Sequence, residues 1–293
     1  MYKYMREDTP DEWKIKKLQD KILEIAVYLD KFCEENSIEY CLMGGSALGA
    51  VRHKGFIPWD DDLDFFMTPD NYEKFVDAFN RQGNKELYFL EPFGNFNNMI
   101  TIGKVRAKNT TYIEESLIGY DISHCVFVDI FILHTCPNNI FKRLNQYIWA
   151  KYVVAKGQSV KDLSRYGFGL STALKILRLF PRLFLVEYAL KQVYKYRKEQ
   201  SGYYCNYLGK AKYKNGTYKR VWFASCKKVN FEKVQLKVPS GVEDFLRERF
   251  GDYMKIPDIK QIRREQHASV WDTECGFEKY LTTKYNIPRK FLF

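Results

Sequence analysis

Apolar residues recur at three- and four-residue intervals between Asp11 and Glu35: Ile15, Leu18, Ile22, Ile25, Ala26 and Leu29. That spacing predicts a helix with one buried face, and Thr9-Pro10 ahead of it reads as its start. A short apolar run, Tyr40 to Met43, follows and predicts a buried strand that ends in Gly44-Gly45-Ser46. Ala47 to Val51 then predicts a short helix. A polar loop, Arg52-His53-Lys54-Gly55, leads through Pro58 and Trp59 to Leu63, Phe65 and Phe66, which flank an acidic cluster as a second strand. Thr68-Pro69-Asp70 opens another helix running to about Asn80, with proline at its favoured first position. Ile100–Arg106 and the strongly apolar Cys125–Leu133 predict further strands.

After Pro137 the pattern is mostly helical to about Gln200. Within it, Leu170–Leu190 carries Lys175, Arg178 and Arg182 among its apolar positions and is divided by Pro181, which a continuous helix does not accommodate. It reads first as a core helix of a second subdomain. The alternative is a basic amphipathic segment lying on an anionic bilayer, a peripheral membrane contact. Helices and strands alternating over the first 135 residues predict an α/β (α+β) class, a mixed sheet with flanking helices. Residues 1–136 are expected to form a catalytic core. Residues 137–293 are expected to form a helical, basic substrate-binding region packed on it.

The net charge of +11 over 293 residues hides an asymmetry. Residues 1–150 hold 17 Lys and Arg against 23 Asp and Glu, whereas residues 151–293 hold 30 against 13. A basic half attracts anions: an acidic glycan, a lipid surface or nucleic acid. No nucleic-acid-binding motif accompanies it, so nucleic acid is not expected. Seven cysteines with wide spacings and no CxxC fit reduced thiols rather than a disulfide framework. The polar N-terminus and the lack of any 18-residue apolar run lead to the expectation of a cytoplasmic protein, peripheral at most at the inner face of the membrane.

The chemistry concentrates in Gly44–Phe66, GGSALGAVRHKGFIPWDDDLDFF. A Gly-Gly-Ser turn between strand and helix lets the backbone approach a phosphate and offers free N–H groups, so Gly45 and Ser46 are candidate phosphate ligands. Asp62-Leu63-Asp64 on a strand places two carboxylates on one face with Leu63 turned inward. Close carboxylates repel unless a cation lies between them, and oxygen-only ligands suit Mg²⁺ or Mn²⁺. Asp129, inside the apolar run 125–131, is costly to bury unless paired or metal-bound, and is the candidate third carboxylate. Lys104 and Arg106, two apart on a strand, can pair with phosphate oxygens. Arg52, His53 and Lys54 just upstream of the acids are candidate phosphate or acceptor contacts. Asp60 and Asp61 are expected to order the loop or to support the ligands.

The Gly-Ser and later Asp-x-Asp pattern resembles the nucleotidyltransferase superfamily, and AVRHKGFIPWDDDLDFFM resembles the signature of the LicD family of phosphocholine transferases. Lys104-Val105-Arg106, Val128-Asp129-Ile130-Phe131, Phe231-Glu232, Val238-Pro239 and Phe250-Gly251-Asp252-Tyr253-Met254 resemble further family segments in order, whereas 138–220 match nothing. Ile132 stands where the family usually has proline. The resemblance implies a nucleotidyltransferase-like fold and transfer of a phosphorylated alcohol onto a hydroxyl of a glycan precursor such as teichoic acid, lipopolysaccharide or capsule. The implied donor is a CDP-alcohol, with CDP-choline favoured over CDP-glycerol and CDP-ribitol. The implied acceptor is an anionic glycan or a lipid-linked oligosaccharide. Asp62, Asp64 and Asp129 would be both metal ligands and catalytic residues. Nucleotidyl transfer from a nucleoside triphosphate and an inactive nucleotide- or polyanion-binding module are the competing readings.

Overall fold

The computed structural model describes residues 13–94, 101–114, 117, 122–159, 167–179, 183–260, 262 and 266–281. Helix α1 (Lys16–Glu35) buries Leu18, Ile22, Ile25, Ala26, Leu29 and Cys33 on one stripe, as the periodicity requires. The proposed start at Thr9-Pro10 lies outside the described residues. Strand β1 (Cys41–Leu42) pairs antiparallel with β2 (Asp64–Met67). Tyr40 stacks on Phe65 with ring centroids 4.1 Å apart, which fixes this edge of the sheet. Between them runs α2 (Gly44–Arg52), which starts on the glycine turn itself, three residues ahead of the expected Ala47. Helix α3 (Pro69–Gln82) begins as the sequence indicates: the Thr68 hydroxyl accepts from the Asn71 backbone N–H and Pro69 opens the first turn.

Strands β3 (Tyr88–Glu91), β4 (Gly103–Ala107) and β6 (Phe127–Ile132) complete a mixed five-stranded sheet in the order β1-β2-β6-β4-β3. Only the β2–β6 pair is parallel; β6–β4 and β4–β3 are antiparallel. Helix α1 contacts this sheet at β4 and β6, and together they bury the principal core. β5 (Thr111–Glu114) leaves the sheet and pairs with β12 (Ala268–Asp272), so the far end of the chain returns to the front half.

The helical stretch consists of α4 (Ile140–Ser159), α5 (Phe168–Leu179) and α6 (Leu183–Tyr194). Pro181 lies outside the described residues, in the interval that separates α5 from α6. Ala150 and Val153 of α4 pack with Val186, Ala189 and Val193 of α6 in a second, smaller hydrophobic cluster. Beyond Tyr194 the chain returns to strands. β8 (Tyr203–Cys205) and β9 (Thr217–Lys219) extend β7 (His134–Cys136), and β10 (Cys226–Phe231) and β11 (Val234–Pro239) form a hairpin. Helix α7 (Val242–Phe250) follows, and its Phe245 and Leu246 enter the principal core.

His134 on β7 is fully enclosed, edge-on to Tyr194 at 4.6 Å, and neither ring nitrogen has a hydrogen-bond partner among the described residues. Burial pushes its pKa down to about 3, because a desolvated imidazolium is unfavourable. Below the ordinary histidine value the unfolded chain takes up a proton that the folded chain refuses, so stability falls as pH drops. The loss should approach about 1.4 kcal/mol per pH unit between roughly 6.5 and 3. Urea unfolding of the native protein and of His134→Phe between pH 7 and 4 checks this. A slope unchanged by the substitution would show that His134 is not its source.

Candidate active site

Sheet register builds the site. Asp64 on β2 lies directly opposite Asp129 on β6, and Asp129 lies directly opposite Lys104 on β4. The three side chains therefore form one row across the sheet, and with Asp62 they line a cleft of about 980 Å³. Leu63 between the two aspartates is fully buried, which leaves Asp62 and Asp64 on the cleft side. Backbone bonds clamp this turn: Met43 N–H donates to the Asp64 carbonyl at 3.0 Å and Asp129 N–H to the Leu63 carbonyl at 3.0 Å. The Ser46 hydroxyl accepts from Asp64 N–H at 2.8 Å. Ser46 thus sits behind Asp64 and holds its backbone in place.

At the start of α2, a Cβ on Gly45 would lie 2.9 Å from Asp60 Oδ2. Gly44 adopts φ +51°. Gly45 suits glycine because the helix N-terminus is pressed against the acidic loop, and Gly44 because its φ lies in the left-handed region.

Burial pushes the carboxyls of Asp62, Asp64 and Asp129 up; neighbouring charges add to it, Asp62 and Asp129 at Asp64, Asp61 and Asp129 at Asp62, and Glu114 at Asp129. Lys104 partly offsets this. Its Nζ donates to Asp129 Oδ1 and also lies 3.4 Å from the centre of the Phe127 ring. Three desolvated carboxylates at one end of a cleft form an all-oxygen donor set for a hard divalent cation, which would relieve their repulsion. As they stand, the described side chains do not close into a ready-made metal-ligand cluster, and one Asp129 oxygen is engaged by Lys104. The donor chemistry fits Mg²⁺ or Mn²⁺, with Asp62, Asp64 and Asp129 as the residues that would hold it.

A scan against family models matches residues 37–173 to the LicD/FKTN/FKRP nucleotidyltransferase domain. Residues 37–173 are thus similar to a LicD-family domain. The chain is 29% identical over 265 residues to the lipopolysaccharide cholinephosphotransferase LicD of Haemophilus influenzae (strain ATCC 51907 / DSM 11121 / KW20 / Rd), covering 80% of this chain and 89% of that one. It is also 60% identical over 122 residues to an uncharacterized protein of Rickettsia prowazekii (strain Madrid E), covering 40% and 41% of the two chains.

The matched segment contains every candidate phosphate- and metal-binding residue, but the structure does not deploy them alike. Gly45, Arg52, Lys104, Arg106 and the three aspartates line the cleft, whereas Ser46, His53 and Lys54 do not. Arg106 is buried in an ion pair with Glu91, and its Nη1 donates to the Cys125 carbonyl at 2.8 Å. It reaches the cleft as part of a neutralised pair. His53 accepts from Arg52 Nε at 2.9 Å and rests edge-on against Trp59, and burial lowers its pKa. The Lys54 carbonyl accepts from Glu232 N–H at 2.7 Å, so this residue ties the loop to the β10–β11 turn.

The cleft is completed by residues beyond the matched segment; of these, the sequence singles out Asp252 and Tyr253 alone, within Phe250–Met254, and assigns them no role in a site. Lys210, Arg249, Asp252, Tyr253 and His267 all line it. Asp61, fully buried, accepts from the backbone N–H of His267 at 2.8 Å and of Ala268 at 2.9 Å, and its Oδ1 lies 3.2 Å from His267 Nδ1. His267 Nδ1 also lies 3.6 Å from Asp62, and its Nε2 is 3.1 Å from Lys210 Nζ. Burial and these carboxylates act in opposite directions on His267, with a net rise in its pKa. Gln19 of α1 donates to the carbonyls of Ile57 and Asp60, which fixes the acidic loop from below. Arg52 Nη1 donates to the Tyr253 carbonyl at 2.6 Å. Single positions some two hundred residues from the motif carry no local signal; a lone His267 just ahead of a short strand reads as an ordinary polar side chain.

Proposed function

We propose that this chain is a metal-dependent phosphotransferase that moves phosphocholine from CDP-choline to a hydroxyl of a cell-surface glycan precursor. One observation carries the reading: the row Asp64–Asp129–Lys104, with Asp62 beside it, on the wall of a cleft and in the segment similar to the LicD domain. The similarity to the lipopolysaccharide cholinephosphotransferase supports phosphocholine and a glycan acceptor.

A divalent ion held by Asp62, Asp64 and Asp129 would neutralise the donor pyrophosphate and the leaving CMP. The N-terminus of α2, at Gly44 and Gly45, presents backbone N–H groups to the donor phosphates. Lys210 and Arg52 add positive charge at the cleft wall. Asp129, its carboxyl pushed up by burial, is placed to take the proton of the acceptor hydroxyl while Lys104 fixes its orientation. The acceptor oxygen then bonds to the choline-bearing phosphorus, and the bond from that phosphorus to CMP breaks.

The test is a parallel incubation with CDP-choline, CDP-glycerol, CDP-ribitol and CTP, with Mg²⁺ or Mn²⁺, following CMP and pyrophosphate. CMP from CDP-choline, far above that from the other donors, is the expected result. CMP from another donor alone would change the alcohol. Pyrophosphate from CTP would make the protein a nucleotidyltransferase. Silence from all four, together with no calorimetric binding of CDP-choline, would overturn the reading.

A further inference from the structure

Helix α4 carries two faces. Gln146, Ala150 and Val153 are buried toward the neighbouring helices. On the other side Phe141, Leu144 and Ile148 recur at helical spacing and are exposed, Phe141 by 78%. Helix α5 does the same on a larger scale: among its residues Leu174 is buried, while Phe168 is 88% exposed, Leu179 83% and Ile176 53%. The two helices touch, and Lys156 Nζ of α4 donates to the Leu177 carbonyl of α5 at 2.6 Å. Scattered exposed apolar residues are ordinary, but a set this large on two adjoining helices marks an interaction surface.

Charge decides what covers it. Residues 140–199 contain 13 Lys and Arg against 3 Asp and Glu, and Lys142 and Lys175 stand exposed among the apolar side chains. A second copy of this face would bring like charges together. An anionic lipid surface offers both an apolar layer and opposite charge, the combination that basic amphipathic helices bind. Among the described residues no helix is long and apolar enough to cross a membrane, so contact through these helices would be lateral. Helix α4 also reaches the site: Val154, Gly157 and Gln158 near its end line the cleft.

We infer that the α4–α5 face docks on an anionic bilayer, seating Phe141, Phe168 and Leu179 at the headgroup boundary, and thereby brings the cleft to an acceptor carried in the membrane. The acceptor clause rests on the function proposed above; the docking itself does not.

The full-length protein is floated with vesicles of phosphatidylglycerol and phosphatidylcholine, and with phosphatidylcholine alone. Binding to the anionic vesicles, weakened by salt, is expected. The variant Phe141→Ser/Phe168→Ser/Leu179→Ser changes only exposed side chains, so its circular dichroism and Tm should match the native protein while vesicle binding weakens by at least about tenfold. Lys142→Glu/Lys175→Glu should weaken it as well. Absence of flotation with anionic vesicles, or a triple variant that floats like the native protein, overturns the inference. So does a native dimer in solution that the triple variant converts to monomer, which would make the face a contact between copies. Flotation needs no donor, and Asp64→Asn should float normally, so failure here and failure of the CDP-choline assay are separate results.

Discussion

Asp64→Asn is expected to reduce CMP release from CDP-choline by about a thousandfold or more while the fold stays intact. Asparagine keeps the shape and leaves the backbone bonds of Asp64 to Ser46 and Met43 in place. What it removes is one of three carboxylates that would hold a divalent ion, and transition-state stabilisation of about 4 kcal/mol corresponds to that factor in rate. Its effect on stability has the opposite sign. Burial and the charges of Asp62 and Asp129 raise the Asp64 carboxyl well above its ordinary value. A carboxyl raised on folding opposes folding once pH exceeds its unfolded value, and the cost is complete above the folded one. The neutral amide removes that cost, so Tm near neutral pH should equal or exceed that of the native protein. Mn²⁺ should raise the native Tm by binding the folded state and leave Asp64→Asn nearly unmoved. Activity within tenfold of native, or an undiminished Mn²⁺ response, would refute Asp64 as a ligand.

Asp61→Ala should destabilise the protein by about 3–5 kcal/mol, the range for uncovering a buried, fully engaged charge site. Asp61 accepts from two backbone N–H groups, those of His267 and Ala268, and pairs with the His267 ring. Alanine removes the acceptor that both donors share, and a desolvated N–H stripped of its bond is costly. Asp61→Asn keeps one carbonyl oxygen for the N–H groups and should recover part of the loss. Urea unfolding of the three proteins measures the differences. A change under about 1 kcal/mol for alanine would mean that the segment at 267–268 is held in place by other contacts.

Much of the front half is legible in sequence because its signals are local. The stripe of α1, the Thr68-Pro69 start of α3 and the alternation around Leu63 each depend on neighbours a few positions away. The fold class follows from the order of such elements. The candidate carboxylates meet because β2 and β6 pair in parallel register, a long-range fact that spacing cannot supply and that the family resemblance filled in. Arg106 illustrates the limit: two residues from Lys104 it shares the strand and the cleft, yet Glu91 across β3 neutralises it. His267 and Lys210 illustrate it further, since their roles exist only where distant strands bring them beside Asp61 and Asp62. The short strands β8 to β12 are three to six residues of mixed polarity, too brief for periodicity to separate from loops.

The bond from Asp61 to Ala268 spans 207 positions. Synthesis on the ribosome proceeds from the N-terminus, so the acidic loop emerges long before its anchor exists. Throughout that interval the Asp61 carboxylate has water in place of its final donors, and β5 lacks β12 beside it. Under the proposed function, a growing chain is therefore expected to gain turnover only once about residue 268 has cleared the exit tunnel. Released nascent chains of graded length should acquire activity in one late step rather than gradually.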